Sequence, residues 1–231
     1  MRASVAFFFS FDSDAPVTFS PIRNGHFRIA LTGGPGGGKT TAADLFRREI
    51  GEAVVIVPEA ATILFTGGFP RTDNELSLRA TQRAIFHTQR NLEDAYAALY
   101  PKRILLCDRG TVDGAAYWPE DDHGGFFEEL GTTLEAELAR YDAVIFFESA
   151  AVGGLGIEGG NPARVESLQE AARLDRRLRR LWSQHSRFIL VPNTSSFFKK
   201  LTFGLASLES IVSQLESHHR LQSDPQPPAP A

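Results

Sequence analysis

Thr32-Gly33-Gly34-Pro35-Gly36-Gly37-Gly38-Lys39-Thr40-Thr41 is the stretch on which the reading of this chain turns. From Gly33 to Thr40 it fits the pattern G-x-x-x-x-G-K-[ST]. Before it, His26-Phe27-Arg28-Ile29-Ala30-Leu31 reads as a short buried strand. After it, residues 39–50 read as a helix, with Ala42, Leu45, Phe46 and Ile50 at helical spacing and Gly51 placed to end it. Glycines let the backbone curl until successive N–H groups point into one concavity, and the following helix adds its positive end. A phosphate fits there. Gly33, Gly34, Pro35, Gly36, Gly37, Gly38, Lys39, Thr40 and Thr41 are therefore the candidate nucleotide-binding residues. Lys39 would reach the β- and γ-phosphates, and the Thr40 hydroxyl would ligate Mg²⁺.

Working outward, the chain alternates apolar runs with helical patterns. Residues 53–57, 104–107, 143–147 and 188–191 are short and continuously apolar, as strands buried on both faces are. Helices are expected over 74–99, where Leu78, Ile85, Leu92 and Leu99 recur every seven residues, over 132–140, from Ser167 to about Gln184, and from Phe197 through Leu215. Ser167 with Glu170 three residues on is a capping-box start. Residues 62–73 read as a loop because they hold Gly67, Gly68 and Pro70, residues 111–130 read as irregular, and the glycine-rich residues 149–163 read as a mobile loop. The expected architecture is α/β: a P-loop NTPase three-layer sandwich around a mostly parallel five-stranded sheet. Three parts are expected: an N-terminal extension over 1–25, a P-loop domain over 26–217, and a Pro-rich disordered tail over 218–231.

The 231 residues suffice for one such domain, and the formal net charge of −4 speaks against a general nucleic-acid binder. The single cysteine, Cys107, excludes an internal disulfide and suits a reducing, cytoplasmic setting. No apolar run approaches the roughly 20 residues of a membrane span.

In a parallel sheet with right-handed crossovers, ligands bind beyond the strand C-termini. That edge gathers the glycine loop, Glu59, Asp108, Arg109, Glu148 and Asn193. Asp108 is expected on the Mg²⁺ side, beside Thr40, and Arg109 as a phosphate-binding group. Glu59 and Asp108 compete for the role of proton acceptor. Arg164 and Arg173, at and after the glycine-rich loop, are lid candidates for charge on the transferring phosphoryl group. Arg176 to Arg180 read as a solvated helix face. His87, His123 and His185 lack metal-like spacing, Tyr117 and Trp118 read first as packing residues, and Asp113 stays open between packing and function.

The segments Thr32 to Thr41, Val57-Pro58-Glu59-Ala60-Ala61, Cys107-Asp108-Arg109-Gly110 with Asp113-Gly114 and Ala116-Tyr117-Trp118-Pro119, and Asn161-Pro162-Ala163-Arg164 with Glu166 and Ala172-Arg173-Leu174-Asp175 together resemble one group of proteins. It is the AAA-type P-loop ATPase family of kinase-like domains that includes the ribosylnicotinamide kinase domain of NadR and the TRPL translocation defect proteins. The resemblance spans about residues 26–205. It implies a kinase-like ATP-binding fold, a catalytic or metal role for Asp108, and a lid around Arg164 and Arg173. The expected function is a Mg²⁺-dependent kinase that moves the γ-phosphate of ATP to a small nucleoside- or riboside-like acceptor. The alternative is a nucleotide-dependent switch or slow ATPase or GTPase that acts through a protein partner. An Asn-Lys-x-Asp guanine reader is missing from the sequence, which favours ATP.

Overall fold

A computed structural model describes residues 26–72, 74–119, 123–153 and 167–223. Its five strands are β1 (Arg28–Thr32), β2 (Val54–Val57), β3 (Ile104–Asp108), β4 (Ala143–Phe147) and β5 (Phe188–Val191). All four pairings are parallel, and the order across the sheet is β2-β3-β1-β4-β5. The helices are α1 (Lys39–Ile50), α2 (Ala60–Thr66), α3 (Glu75–Leu99), α4 (Asp113–Ala116), α5 (His123–Glu129), α6 (Leu134–Leu138), α7 (Leu168–Trp182) and α8 (Phe197–Ser223).

Side chains alternate across a strand, so each apolar strand feeds two cores. On one face Ile29, Leu31, Leu106, Ile145 and Phe147 pack with Phe46 of α1 and Leu208 and Ile211 of α8. On the other face Ala30, Leu105, Cys107, Val144 and Phe146 pack with Phe86 of α3, Trp118, Phe126 of α5, and Leu178 and Trp182 of α7. Helices on both faces of a five-stranded parallel sheet make the expected three-layer sandwich. β1 pairs with β3 on one side and β4 on the other, and the chain fills the β2–β3 side before it crosses to the β4–β5 side. That reversal opens a crevice at the C-terminal end of β1, where the glycine loop lies.

Three local expectations change. Residues 60–66 are helical, because Gly67, Gly68 and Pro70 end α2 rather than break the whole segment into loop. Two short helices, α4 and α5, punctuate the stretch read as irregular. The α3 stripe is displaced: Leu99 is 69% exposed, whereas the buried face runs through Gln82, Phe86, Gln89, Glu93 and Ala97. A strict seven-residue repeat drifts about 20° per heptad on a straight helix, which carries Leu99 out to solvent. Glu93 is fully buried on that face because Tyr141 Oη donates to its Oε1 (2.7 Å) and Arg140 Nη2 donates to its Oε2 (2.7 Å). The last helix, α8, runs to Ser223. No helix among the described residues is long and apolar enough to cross a membrane. The 1–25 extension, Arg164 and the last residues of the tail lie outside the described residues.

Candidate nucleotide and acceptor site

The glycine loop follows β1 directly. Gly33 has φ +133°, and a Cβ there would lie 2.0 Å from the carbonyl oxygen of Phe147. Gly38 caps α1 in the left-handed region, with φ +86°. Only glycine holds both positions without strain. The cap makes no side-chain hydrogen bond, and the first turn of α1 holds no acidic residue. The N-terminal N–H groups of α1 are thus left to an anion by the chain itself.

Lys39 is buried, and its Nζ donates to the carbonyl oxygens of Gly33 (2.8 Å) and Gly34 (2.9 Å). The ammonium thus braces the loop and sits inside its concavity. Thr40 Oγ1 donates to Asp108 Oδ2 (3.2 Å). The register pairs Leu31 with Asp108, so Asp108 ends β3 level with the start of the loop. Burial, then the negative charge of Glu59, pushes the Asp108 carboxyl up. One hydroxyl and one carboxylate oxygen side by side are hard donors of the kind Mg²⁺ takes alongside phosphate oxygens and water. The residues present therefore fit that ion. Among the described residues no cluster of three His, Cys, Asp or Glu forms an all-protein metal site.

Arg109 follows Asp108 with φ +72°, rare for a side-chain-bearing residue. That backbone turn swings its guanidinium between two carboxylates. Arg109 Nε donates to Glu59 Oε1, and Nη1 donates to Asp113 Oδ1 (2.9 Å). Burial opposes the Arg109 charge, but Tyr117, Glu59 and Asp113 outweigh it and hold its pKa high. Glu59 also accepts from Thr62 Oγ1. Burial alone would raise the Glu59 pKa; Arg109, Thr62 and Lys39 together bring it below its ordinary value, so Glu59 stands ionised at neutral pH.

Asp113 is the junction beneath these groups. It accepts from Thr32 Oγ1 (2.8 Å), Arg109 Nη1 (2.9 Å), the Gly110 backbone N–H (3.1 Å) and Trp182 Nε1 (3.0 Å). A second junction lies behind the glycine loop. Asp175 Oδ1 on α7 accepts from the N–H groups of Gly34 (2.9 Å) and Ser149 (2.8 Å). Ser149 Oγ in turn donates to Pro35 O (2.5 Å). Lys200 Nζ donates to the carbonyl oxygen of Glu148. Sequence reading left Asp113 open and found Asp175 only through its motif. Ser149 and Lys200 went unseen, because their partners are more than 25 residues away in the chain.

Beside the loop lies a cavity of about 670 Å³. Pro35 of the glycine loop, Glu59 just before α2, Thr62 and Phe65 of α2, Thr81, Gln82 and Ile85 of α3, Arg109, Asp113, Tyr117, Ser167 just before α7, and Glu170 of α7 are among the residues that line it. Glu59 and Arg109 therefore face both the phosphate side and the cavity, whereas Asp108 does not line it. Arg173 of α7 has a side chain 55% exposed and stands 3.8 Å from Glu170. Trp118 is a buried core residue, as packing predicts, with the Arg79 guanidinium over its ring. His185 is structural, with its Nε2 at 2.9 Å from Tyr141 O.

A glycine loop between a central parallel strand and a helix, in this strand order, defines a P-loop protein of the nucleoside- and nucleotide-kinase type of fold. The profile of the AAA domain family matches residues 28–197, and the chain belongs to that family. Deoxyadenosine kinase from M. mycoides, with bound dATP, superposes with a TM-score of 0.57 at 14% identity, over 80% of this chain and 100% of that one. Thymidylate kinase from Ehrlichia chaffeensis superposes with a TM-score of 0.53 at 15% identity, over 81% and 99%. At such identities the likeness is one of fold. No curated protein matches the chain in sequence.

Proposed function

We propose that this protein is a Mg²⁺-dependent kinase that transfers the γ-phosphate of ATP to a hydroxyl of a small nucleoside- or riboside-like acceptor. The observation that carries the reading is the 670 Å³ cavity, which begins at Pro35 of the phosphate loop and holds the ionised Glu59. A switch that answers only to the γ-phosphate has no use for a second chamber of ligand size.

In this reading, the N–H groups of the glycine loop and of α1, with Lys39, hold the β- and γ-phosphates. Thr40 and Asp108 would hold Mg²⁺, which supplies charge neutralisation on the phosphate oxygens. Glu59, oriented by Arg109 and Thr62, accepts the proton of the acceptor hydroxyl. The hydroxyl oxygen forms the new bond to the γ-phosphorus as the bond to the β,γ-bridging oxygen breaks, and ADP leaves with that electron pair. Glu59 is favoured over Asp108 as the proton acceptor because it lines the cavity, while Asp108 is engaged with Thr40. Arg109 acts by holding Glu59 in place, its fork already taken by two carboxylates. A lid role for Arg164 and Arg173 remains part of the proposal. For Arg173 it requires rotation of an exposed side chain away from Glu170.

The test is ADP release by the purified protein with ATP·Mg²⁺ and a panel of nucleosides, ribosides and small phosphates. Acceptor-dependent ADP is expected, with a loss on the order of 100-fold or more for Lys39→Ala. Slow ADP release that no acceptor changes would overturn the kinase reading in favour of a switch.

A further inference from the structure

Two glutamines lie two turns apart on the inner face of α3, and their fates differ. Gln89 is buried and satisfied: its Oε1 accepts from Ala60 N (3.2 Å), and its Nε2 donates to Glu93 Oε1 and to Arg109 O (both 3.3 Å). Gln82 is 5% exposed and its amide is bonded to no other described residue, yet it is not cut off from solvent. It lines the large cavity instead. An amide held in a wall and open to a cavity is left free to bond solvent or a ligand there.

The surroundings say what that ligand is. Phe65, Leu78, Ile85 and Tyr117 make the nearby walls apolar and partly aromatic, suited to a flat ring. Gly114 leaves the space: a Cβ there would lie 3.3 Å from Gln82 Oε1 and 2.8 Å from the Phe126 ring. The charged groups Glu59 and Arg109 also line the cavity, already paired with each other. A side-chain amide presents one acceptor beside one donor, the complement of a neutral planar edge that carries the same pair in reverse.

We propose that Gln82 is the specificity-determining residue of the acceptor site, and that it reads the hydrogen-bonding edge of a nucleobase. This rests on the reading of the cavity as the acceptor site, but recognition of the base and transfer of the phosphoryl group are separable. A site that hydrogen-bonds its ligand through a buried polar group discriminates strongly against ligands that lack the matching group.

The experiment is calorimetric titration of the full chain with uridine, cytidine, adenosine and guanosine, and with 1-O-methyl-ribofuranoside, which keeps the sugar and lacks the base. At least one nucleoside binds about tenfold or more tightly than the methyl riboside. Gln82→Met weakens that nucleoside by roughly 10- to 100-fold and leaves the methyl riboside unchanged. In thermal melts without ligand, Q82M holds its stability, because no described residue is bonded to the amide it removes, while Gln89→Met loses stability. The proposal is overturned if no nucleoside outbinds the methyl riboside, if Q82M weakens both alike or neither, or if Q82M melts as low as Q89M. ADP release measured in parallel separates the two ideas. Gln82-dependent base binding without acceptor-dependent ADP sinks the kinase and keeps the recognition. Phosphoryl transfer to nucleosides that is indifferent to Q82M does the reverse.

Discussion

Replacing Asp113 by Asn keeps the shape of the junction and removes its charge, so the cost can be worked from its four donors. An Asn oxygen turned toward Thr32 and Arg109 keeps those two contacts. The amide nitrogen then faces the N–H of Gly110 and Trp182 Nε1, two donors with no acceptor between them. Two lost neutral hydrogen bonds cost about 1 kcal/mol each. Arg109, 9% exposed, loses one of its two anions and keeps Glu59, and a weakened charge-assisted bond adds about 1 to 3 kcal/mol. The expected destabilisation is about 3 to 5 kcal/mol, a large share of the roughly 5 to 15 kcal/mol that holds a domain together. Urea unfolding followed by tryptophan fluorescence reads it directly, since Trp182 is one of the four partners. Thr32→Val, which removes one donor, is the milder control at about 1 kcal/mol. If D113N unfolds within about 0.5 kcal/mol of the parent, Asp113 is not the junction that holds Arg109, and the positioning of Glu59 must be explained otherwise.

Gly33→Ala meets both a positive φ and the Phe147 carbonyl oxygen, so destabilisation of about 2 to 5 kcal/mol is expected, with phosphate binding lost as well; a parent-like melt would show the loop to be more plastic than drawn. Lys200 is buried, and burial lowers its pKa to about 8 despite Asp175 and Glu148. Between about 8 and 10.5 the unfolded chain holds a proton that the folded one has released, so this group makes stability rise with pH across that window, by about 3 kcal/mol in all. The difference between parent and Lys200→Met in urea midpoints over the window should show that rise, and a difference that stays flat would refute the burial argument. Glu59 has the opposite sign. Its pKa lies below the ordinary carboxylate value, so its contribution is present above that value and is lost as acid takes the pH through its folded pKa; Glu59→Gln should flatten the acid limb.

The parts of this fold that the sequence disclosed are those whose physics is local. Four strands announced themselves by continuously apolar runs, β1 by its short run leading into the glycine loop, and the glycine loop because its backbone must curl within six residues of one lysine. The helix α2 was hidden by the Gly67-Gly68 and Pro70 that end it. The α3 stripe was misplaced because leucines at heptad spacing look like a core, while the true inner face carries Gln82, Gln89 and Glu93, and the burial of Glu93 makes sense only once Tyr141 and Arg140 are in position. Asp113 and Asp175 take their meaning from partners 81 and 141 residues away, which no local pattern can announce.

The account stands most directly on the fate of the γ-phosphate. With [γ-³²P]ATP, Mg²⁺ and the nucleoside panel, label should move from ATP to the acceptor hydroxyl, and both Lys39→Ala and Glu59→Gln should abolish the transfer while Glu59→Gln still binds ATP. Label that appears only as inorganic phosphate, at a rate no acceptor changes, would contradict it.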